Sequence, residues 1–267
     1  MHKTATECGF EPAKTVLMDL GNTRLKWARA DRLADMQAIA HSDNADCWEA
    51  VTTEQVPERV YLASVAGGAR TEALQTWIDR RWGCSVLRAR ALPQLGAVRS
   101  GYRFPERLGI DRFLALLAAW VHNPYRPTVI ALAGTALTVD VLDAQGQHLG
   151  GLIAPGAELM KSALYRDTAE LRPRGHGAVA ALAQDTDDAI ASGSVRAVGA
   201  LICQVWADYP NAQLLLSGGA AELVAPWIIR PAPAAQQFSQ GAARKIVPAL
   251  VLEGLAAFAQ HYSTHQS

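Results

Sequence analysis

The apolar positions 16–19 end on an acid, and Gly21-Asn22-Thr23 then bends the chain into a second run over 24–30. This pattern predicts two short strands joined by a tight turn. A third strand is predicted over 59–65. Beyond Gly67-Gly68, Leu74, Trp77, Ile78 and Trp82 recur at helical spacing, so a helix is predicted over 71–82, with a strand over 84–87. The irregular segment SGYRFPERLGIDRF (100–113) feeds an apolar helix from about 111 to 122. Strands are predicted over 128–133, 138–142 and 150–154, and helices over 157–165 and 186–208. A strand over 214–216 ends in Ser-Gly-Gly, and a helix over 248–261 closes the chain.

Strands alternating with helices place the chain in the α/β class. Asn123-Pro124 and Arg126-Pro127 break the helical pattern and mark a domain boundary. The resulting organisation is an extension over 1–14, a first domain over 15–123 and a second over 124–267. LMDLGNTRLKWA and LAGTALTVDVL each set a turn containing glycine and threonine between two strands. That weak repeat suggests two duplicated halves with a cleft between them.

Composition narrows the setting. At 267 residues, half of them apolar, the chain can fill one large core or two ordinary ones. A formal net charge of zero argues against a nucleic-acid partner. Arginine outnumbers lysine, which leaves room for local oxyanion sites. Cys8, Cys47, Cys84 and Cys203 lack metal-site spacing and fit reduced thiols. No uncharged run reaches bilayer-spanning length, and the first dozen residues lack an apolar signal core. The expected compartment is the cytoplasm, without a membrane partner.

Four motifs carry candidate chemistry, each with a plainer reading beside it. Asp19-Leu20-Gly21-Asn22-Thr23 suits a phosphate nest with a metal-side carboxylate, and equally suits an ordinary hairpin. Gly134-Thr135 repeats the arrangement, and also reads as a simple strand connection. Asp111-Arg112 is either a general base beside an anion clamp, or a helix N-cap or first-turn acid that needs no function. Ser217-Gly218-Gly219 lets a ring or phosphate approach the backbone, or makes a tight turn. Arg172 and Arg174 near His176 could bind an anion, though a solvated loop is the better reading.

As an ordered set running from residue 16 to about 253, these pieces resemble the type III pantothenate kinases, relatives of acetate kinases, sugar kinases and actin. DLGNTRLK (19–26) is similar to the family's first phosphate loop, and GYRFPERLGIDR (101–112) to its most distinctive segment. GTALTVD (134–140) resembles the second phosphate loop, and GGLIAPG (150–156) the segment after it. DTDDAIASG (185–193) resembles a threonine-bearing helix start, and LLLSGG (214–219) the adenosine-side loop.

The resemblance implies two RNase H-like domains of the actin-like ATPase superfamily and a homodimer with its active site near the interface. It implies ATP-dependent phosphorylation of pantothenate to 4'-phosphopantothenate, the first step of coenzyme A synthesis. Asp111 would be the base. Tyr102, Gly109, Ile110 and Arg112 would hold pantothenate, with Thr186 reaching it from the partner subunit. Asp19, Leu20, Gly21, Asn22, Thr23, Arg24, Leu25, Lys26, Thr135, Gly218 and Gly219 would surround ATP, and Asp19 would hold Mg²⁺ through water. Many members carry an acid where this chain has Leu132, and there it ligates K⁺ or NH₄⁺. A leucine side chain has no oxygen to offer, so a monovalent-cation requirement is in doubt, or met by other oxygens. Two other functions stay open: a regulatory accessory protein on the same fold with weak or no kinase activity, and another small-molecule kinase. GYRFPERLGIDR argues against the last, because a generic sugar or acetate kinase has no reason to contain it.

Overall fold

Two mixed five-stranded sheets organise the chain. The computed structural model describes residues 10–41, 45–168, 171, 175, 177–229 and 244–264; Cys8, Arg172, Arg174 and His176 lie outside them. In chain order, the first elements are β1 (Thr15–Leu20), β2 (Arg24–Arg29), β3 (Gln37–Ala40), β4 (Arg59–Ser64), α1 (Gly68–Trp82), β5 (Ser85–Arg88), β6 (Gln94–Leu95), β7 (Val98–Arg99) and α2 (Ile110–His122). Then come β8 (Thr128–Ala133), β9 (Ala136–Leu142), β10 (His148–Pro155), α3 (Ala157–Asp167), α4 (Thr186–Asp208), β11 (Gln213–Ser217), α5 (Ala221–Val224), β12 (Arg244–Ile246) and α6 (Leu250–Thr264).

The first sheet runs β3-β2-β1-β4-β5 and the second β10-β9-β8-β11-β12. In each, the leading strand pairs antiparallel with the strand that follows it and parallel with the fourth. The weak sequence repeat is thus a repeat of topology. Both sheets share one mixed strand order, and with the helices that pack on them the fold is of the α/β class.

Strand periodicity of two assigns the faces. Val16, Met18 and Leu20 of β1 enter a core with Leu25, Trp27, Val60 and Leu62, to which α1 adds Leu74 and Ile78. Leu17 and Asp19 take the opposite face, where α6 packs on β1 and β4. Fully burying each such leucine contributes about 1.5–3 kcal/mol, which fixes the register and carries Asp19 to the end of its strand. In the second unit Val129, Ala131, Leu214 and Leu216 meet Val195, Val198, Ile202 and Trp206 of α4. That helix is long and apolar enough to cross a membrane by length and composition, yet its apolar residues are spent on this core.

The chain divides into Met1–Pro124 with Ala249–Ser267, and Tyr125–Pro248. The first unit's leading segment ends at Pro124. The closing helix, however, belongs with the first unit and not with the second as the sequence reading had it. Its small residues explain the pairing: a Cβ on Gly254 would sit 1.9 Å from the Leu114 carbonyl oxygen, so α6 and α2 touch backbone to backbone. The Glu253 carboxylate of α6 also pairs with His122 Nε2 of α2 at 2.5 Å.

Candidate active site

Asp19 and Lys26 are cross-strand partners at the turn end of β1 and β2, so their side chains share a face of the sheet. Burial pushes the Asp19 carboxyl up to about 7; Lys26 opposes the shift and Asp111 adds to it. Two acids and a lysine therefore share one neighbourhood. The turn between the strands is closed by the Gly21 N–H donating to the Arg24 carbonyl at 3.0 Å. Asn22, Thr23 and Arg24 are exposed there. Leu20 and Leu25 send their side chains into the core, so only their backbone is available to a ligand.

The second acid stands at the start of α2. Gly109 is the N-cap, and Asp111 occupies the first turn rather than the cap itself. Its Oδ1 accepts the Arg112 N–H at 2.8 Å. The positive end of the helix favours the ionised carboxylate. A Cβ on residue 109 would lie 2.7 Å from that same oxygen, so glycine is what leaves the carboxylate its place. Ile110 is buried in the core. Arg112 is only 3% exposed; its Nη1 donates to the Tyr102 hydroxyl at 2.5 Å, and its guanidinium carbon lies 5.2 Å from the Tyr102 ring centroid. A buried guanidinium held by an aromatic ring suits a fixed clamp for a planar anion.

The second unit repeats the loop with different chemistry. The Gly134 N–H donates to the Ala136 carbonyl at 3.0 Å, and the Thr135 carbonyl accepts from the Gly156 N–H at 2.9 Å. Thr135 itself is exposed. Gly218, with φ at +102°, passes so close to β8 that a Cβ would fall 2.2 Å from the Ala133 carbonyl oxygen. The Ser-Gly-Gly turn, Gly219 exposed at its tip, is therefore pressed against the second loop. Leu132 stands two residues before Gly134, as Asp19 stands two before Gly21. The duplicated position is an acid in one unit and an apolar side chain in the other, and the Leu132 side chain cannot ligate a cation. Thr186 is exposed at the first position of α4, whose N-cap Asp185 accepts the Asp188 N–H at 3.0 Å.

Among the described residues, no three or more His, Cys, Asp or Glu side chains gather as a metal cluster. A divalent ion at Asp19 would complete its shell with water and phosphate oxygens, as Mg²⁺ sites on nucleotides do. Asp19 fits that role: it is one carboxylate at the mouth of a turn whose residues Asn22, Thr23 and Arg24 are exposed.

A profile described as type III pantothenate kinase matches residues 15–208. The chain belongs to the type III pantothenate kinase family. Family members are ATP-dependent kinases. A type III pantothenate kinase of Xanthomonas campestris pv. campestris (strain B100) is 39% identical over 252 residues, covering 92% of this chain and 97% of the relative. One from Halorhodospira halophila is 35% identical over 273 residues, covering 94% and 98%. Among solved structures, a Campylobacter jejuni protein named for the Baf family of transcriptional activators aligns with a TM-score of 0.56 at 20% identity, over 90% of this chain and 94% of that one. The activator of 2-hydroxyisocaproyl-CoA dehydratase from Clostridium difficile, with bound ADPNP, aligns at 0.51 and 11% identity, over 94% and 96%. Both likenesses speak to the fold.

Within this type III pantothenate kinase family member, one neighbour of the first loop went unread in the sequence. His41 lies beyond β3, and its Nε2 is 2.7 Å from the Gly21 carbonyl oxygen. The contact joins residues 20 apart through a short strand with no distinctive pattern, so no local signal announces it.

Proposed function

We propose that this chain transfers the γ-phosphoryl group of ATP to the primary hydroxyl of pantothenate, with Asp111 as general base. The observation that carries the assignment is the Asp111 carboxylate, pinned at the start of α2 through its Oδ1 and electrostatically coupled to Asp19. In the step, Asp111 takes the hydroxyl proton as the pantothenate oxygen bonds the γ-phosphorus. The bond from that phosphorus to the β,γ-bridging oxygen breaks, and ADP leaves. Arg112, backed by Tyr102, holds the pantothenate carboxylate, with Gly109 and Ile110 shaping that end of the site. The turns around Gly21–Lys26 and Thr135 present backbone N–H groups to the phosphates, and Gly218-Gly219 lies on the adenosine side. Asp19 would hold Mg²⁺ through water, and the ion when bound supplies charge neutralisation of the phosphates. The Leu132 side chain offers no oxygen, so no side-chain ligand for K⁺ or NH₄⁺ is assigned there.

We also infer a homodimer in the cytoplasm. Strand β10 is a sheet edge, with Leu152 47% and Ile153 65% exposed, and α3 exposes Leu159 and Leu164. A groove of about 1000 Å³ beside them is lined by Leu159, Met160, Ala163, Leu164 and Ile190, with Thr186 on its wall. Covering this surface with a second copy would bring Thr186 to a subunit boundary, in keeping with a role toward the partner's substrate. Leu164→Glu is expected to turn a dimer into a monomer in sedimentation; an unchanged sedimentation coefficient removes this face from the interface.

The function is tested by a coupled ATP assay with pantothenate against sugars, pantetheine and acetate, run in Na⁺ and in K⁺ buffers. Turnover with pantothenate alone, changing less than about twofold between the two cations, is the expected outcome. Turnover on a sugar overturns the substrate, and a strict K⁺ requirement overturns the reading of Leu132. Turnover on nothing favours the regulatory alternative, on the side of which stands the name of the Campylobacter jejuni relative.

A further inference from the structure

His41 holds two successive alternate carbonyls of the first phosphate turn. Its ring Nε2 reaches the Gly21 oxygen at 2.7 Å, and its backbone N–H donates to the Thr23 oxygen at 3.2 Å. A carbonyl oxygen only accepts, so Nε2 carries the ring hydrogen and donates. The other ring nitrogen, Nδ1, is buried with no partner among the described residues. The imidazole lies 5.6 Å from the Trp48 ring at an angle of 52°, and Trp48 is 2% exposed, so the ring is set against an immobile wall.

The consequence follows from the planarity of the peptide. In a trans peptide the C=O and the following N–H point in opposite directions. Fixing the Gly21 carbonyl toward His41 therefore turns the Asn22 N–H away from it, and fixing the Thr23 carbonyl does the same for Arg24. From this geometry we propose that His41 is a positioning residue for nucleotide: it sets the direction in which the first turn presents its amides to phosphate. This rests on the kinase reading above and extends it to a residue that touches neither substrate nor reacting atom. A turn whose amides face a ligand before it arrives has no reorientation to undergo on binding, and preorganisation of that kind appears as affinity.

Two substitutions separate the donor from the packing. His41→Phe keeps a ring against Trp48 and removes the hydrogen bond; His41→Gln keeps a side-chain N–H that can reach the Gly21 carbonyl. Calorimetry with MgADP is expected to show about tenfold weaker binding for His41→Phe and recovery to within about threefold for His41→Gln. In steady-state kinetics the same pattern is expected in KM for ATP, with KM for pantothenate unchanged and melting temperatures of the two variants alike. Wild-type MgADP affinity in His41→Phe overturns the proposal, as does equal loss in both variants or a parallel rise in both KM values. Because MgADP binding is read without the acceptor, a wild-type protein that binds nucleotide but ignores pantothenate overturns the substrate assignment and leaves His41 decided by its own result.

Discussion

Asp111→Asn is expected to lower kcat by about 10²–10⁴-fold while KM for pantothenate stays within about twofold. Asparagine keeps an Oδ1 that can accept the Arg112 N–H, now at 2.8 Å, so the first turn of α2 need not move. It also keeps close to the volume that Gly109 accommodates. What it lacks is a site for the hydroxyl proton. Positioning by Arg112 and Tyr102 survives, so binding persists where turnover does not. Steady-state kinetics with both substrates checks this, and near-wild-type kcat in the variant would remove Asp111 from the role of base.

Asp19→Asn has two opposite effects. In the protein without nucleotide the variant is more stable at high pH. The sign follows from the raised carboxyl: its folded value is about 7 against an ordinary 3.8. Below 3.8 the folded and unfolded chains are both protonated, and the aspartate costs nothing. Between 3.8 and 7 the unfolded chain releases a proton that the folded chain keeps, so stability falls as pH rises. Above 7 the loss is complete, on the order of 4 kcal/mol. Asparagine does not titrate, so thermal melts should show the variant gaining over wild type between pH 4 and pH 8. Parallel wild-type and variant curves would contradict the raised carboxylate. In the kinase assay the same change is expected to cost about 10–100-fold, as loss of a water-mediated metal partner does. The residue that weakens the empty protein is then the one that serves the loaded one, which is the usual mark of a site kept for function.

How far the sequence led depended on whether each feature was local. The α4 span and β8 were legible to the residue, because side-chain periodicity acts over a few positions. The strands β3 and β12 were not: β3 leaves three of its four residues more than slightly exposed at a sheet edge, and β12 is three residues long. Short edge strands carry little alternation, and their pairing is decided by the neighbour they find. Asp111 was read as a cap or a base with equal warrant, since both readings place an acid at a helix start. The packing puts Gly109 in the cap position, leaves Asp111 as the first-turn acid and brings Asp19 within electrostatic range of it.

By itself the sequence determined the class of fold, the duplicated strand-turn-strand, the family resemblance and the identity of the acid-arginine pair. Those are properties of residue order and of contacts within a few positions. Only the tertiary structure decided that α6 returns to the first unit, that Gly21 and Thr23 are held by His41, and that Asp19 and Asp111 share one field. Each of these joins segments distant along the chain. What brings them together is burial of apolar surface, which is blind to sequence separation and therefore leaves no local trace to read.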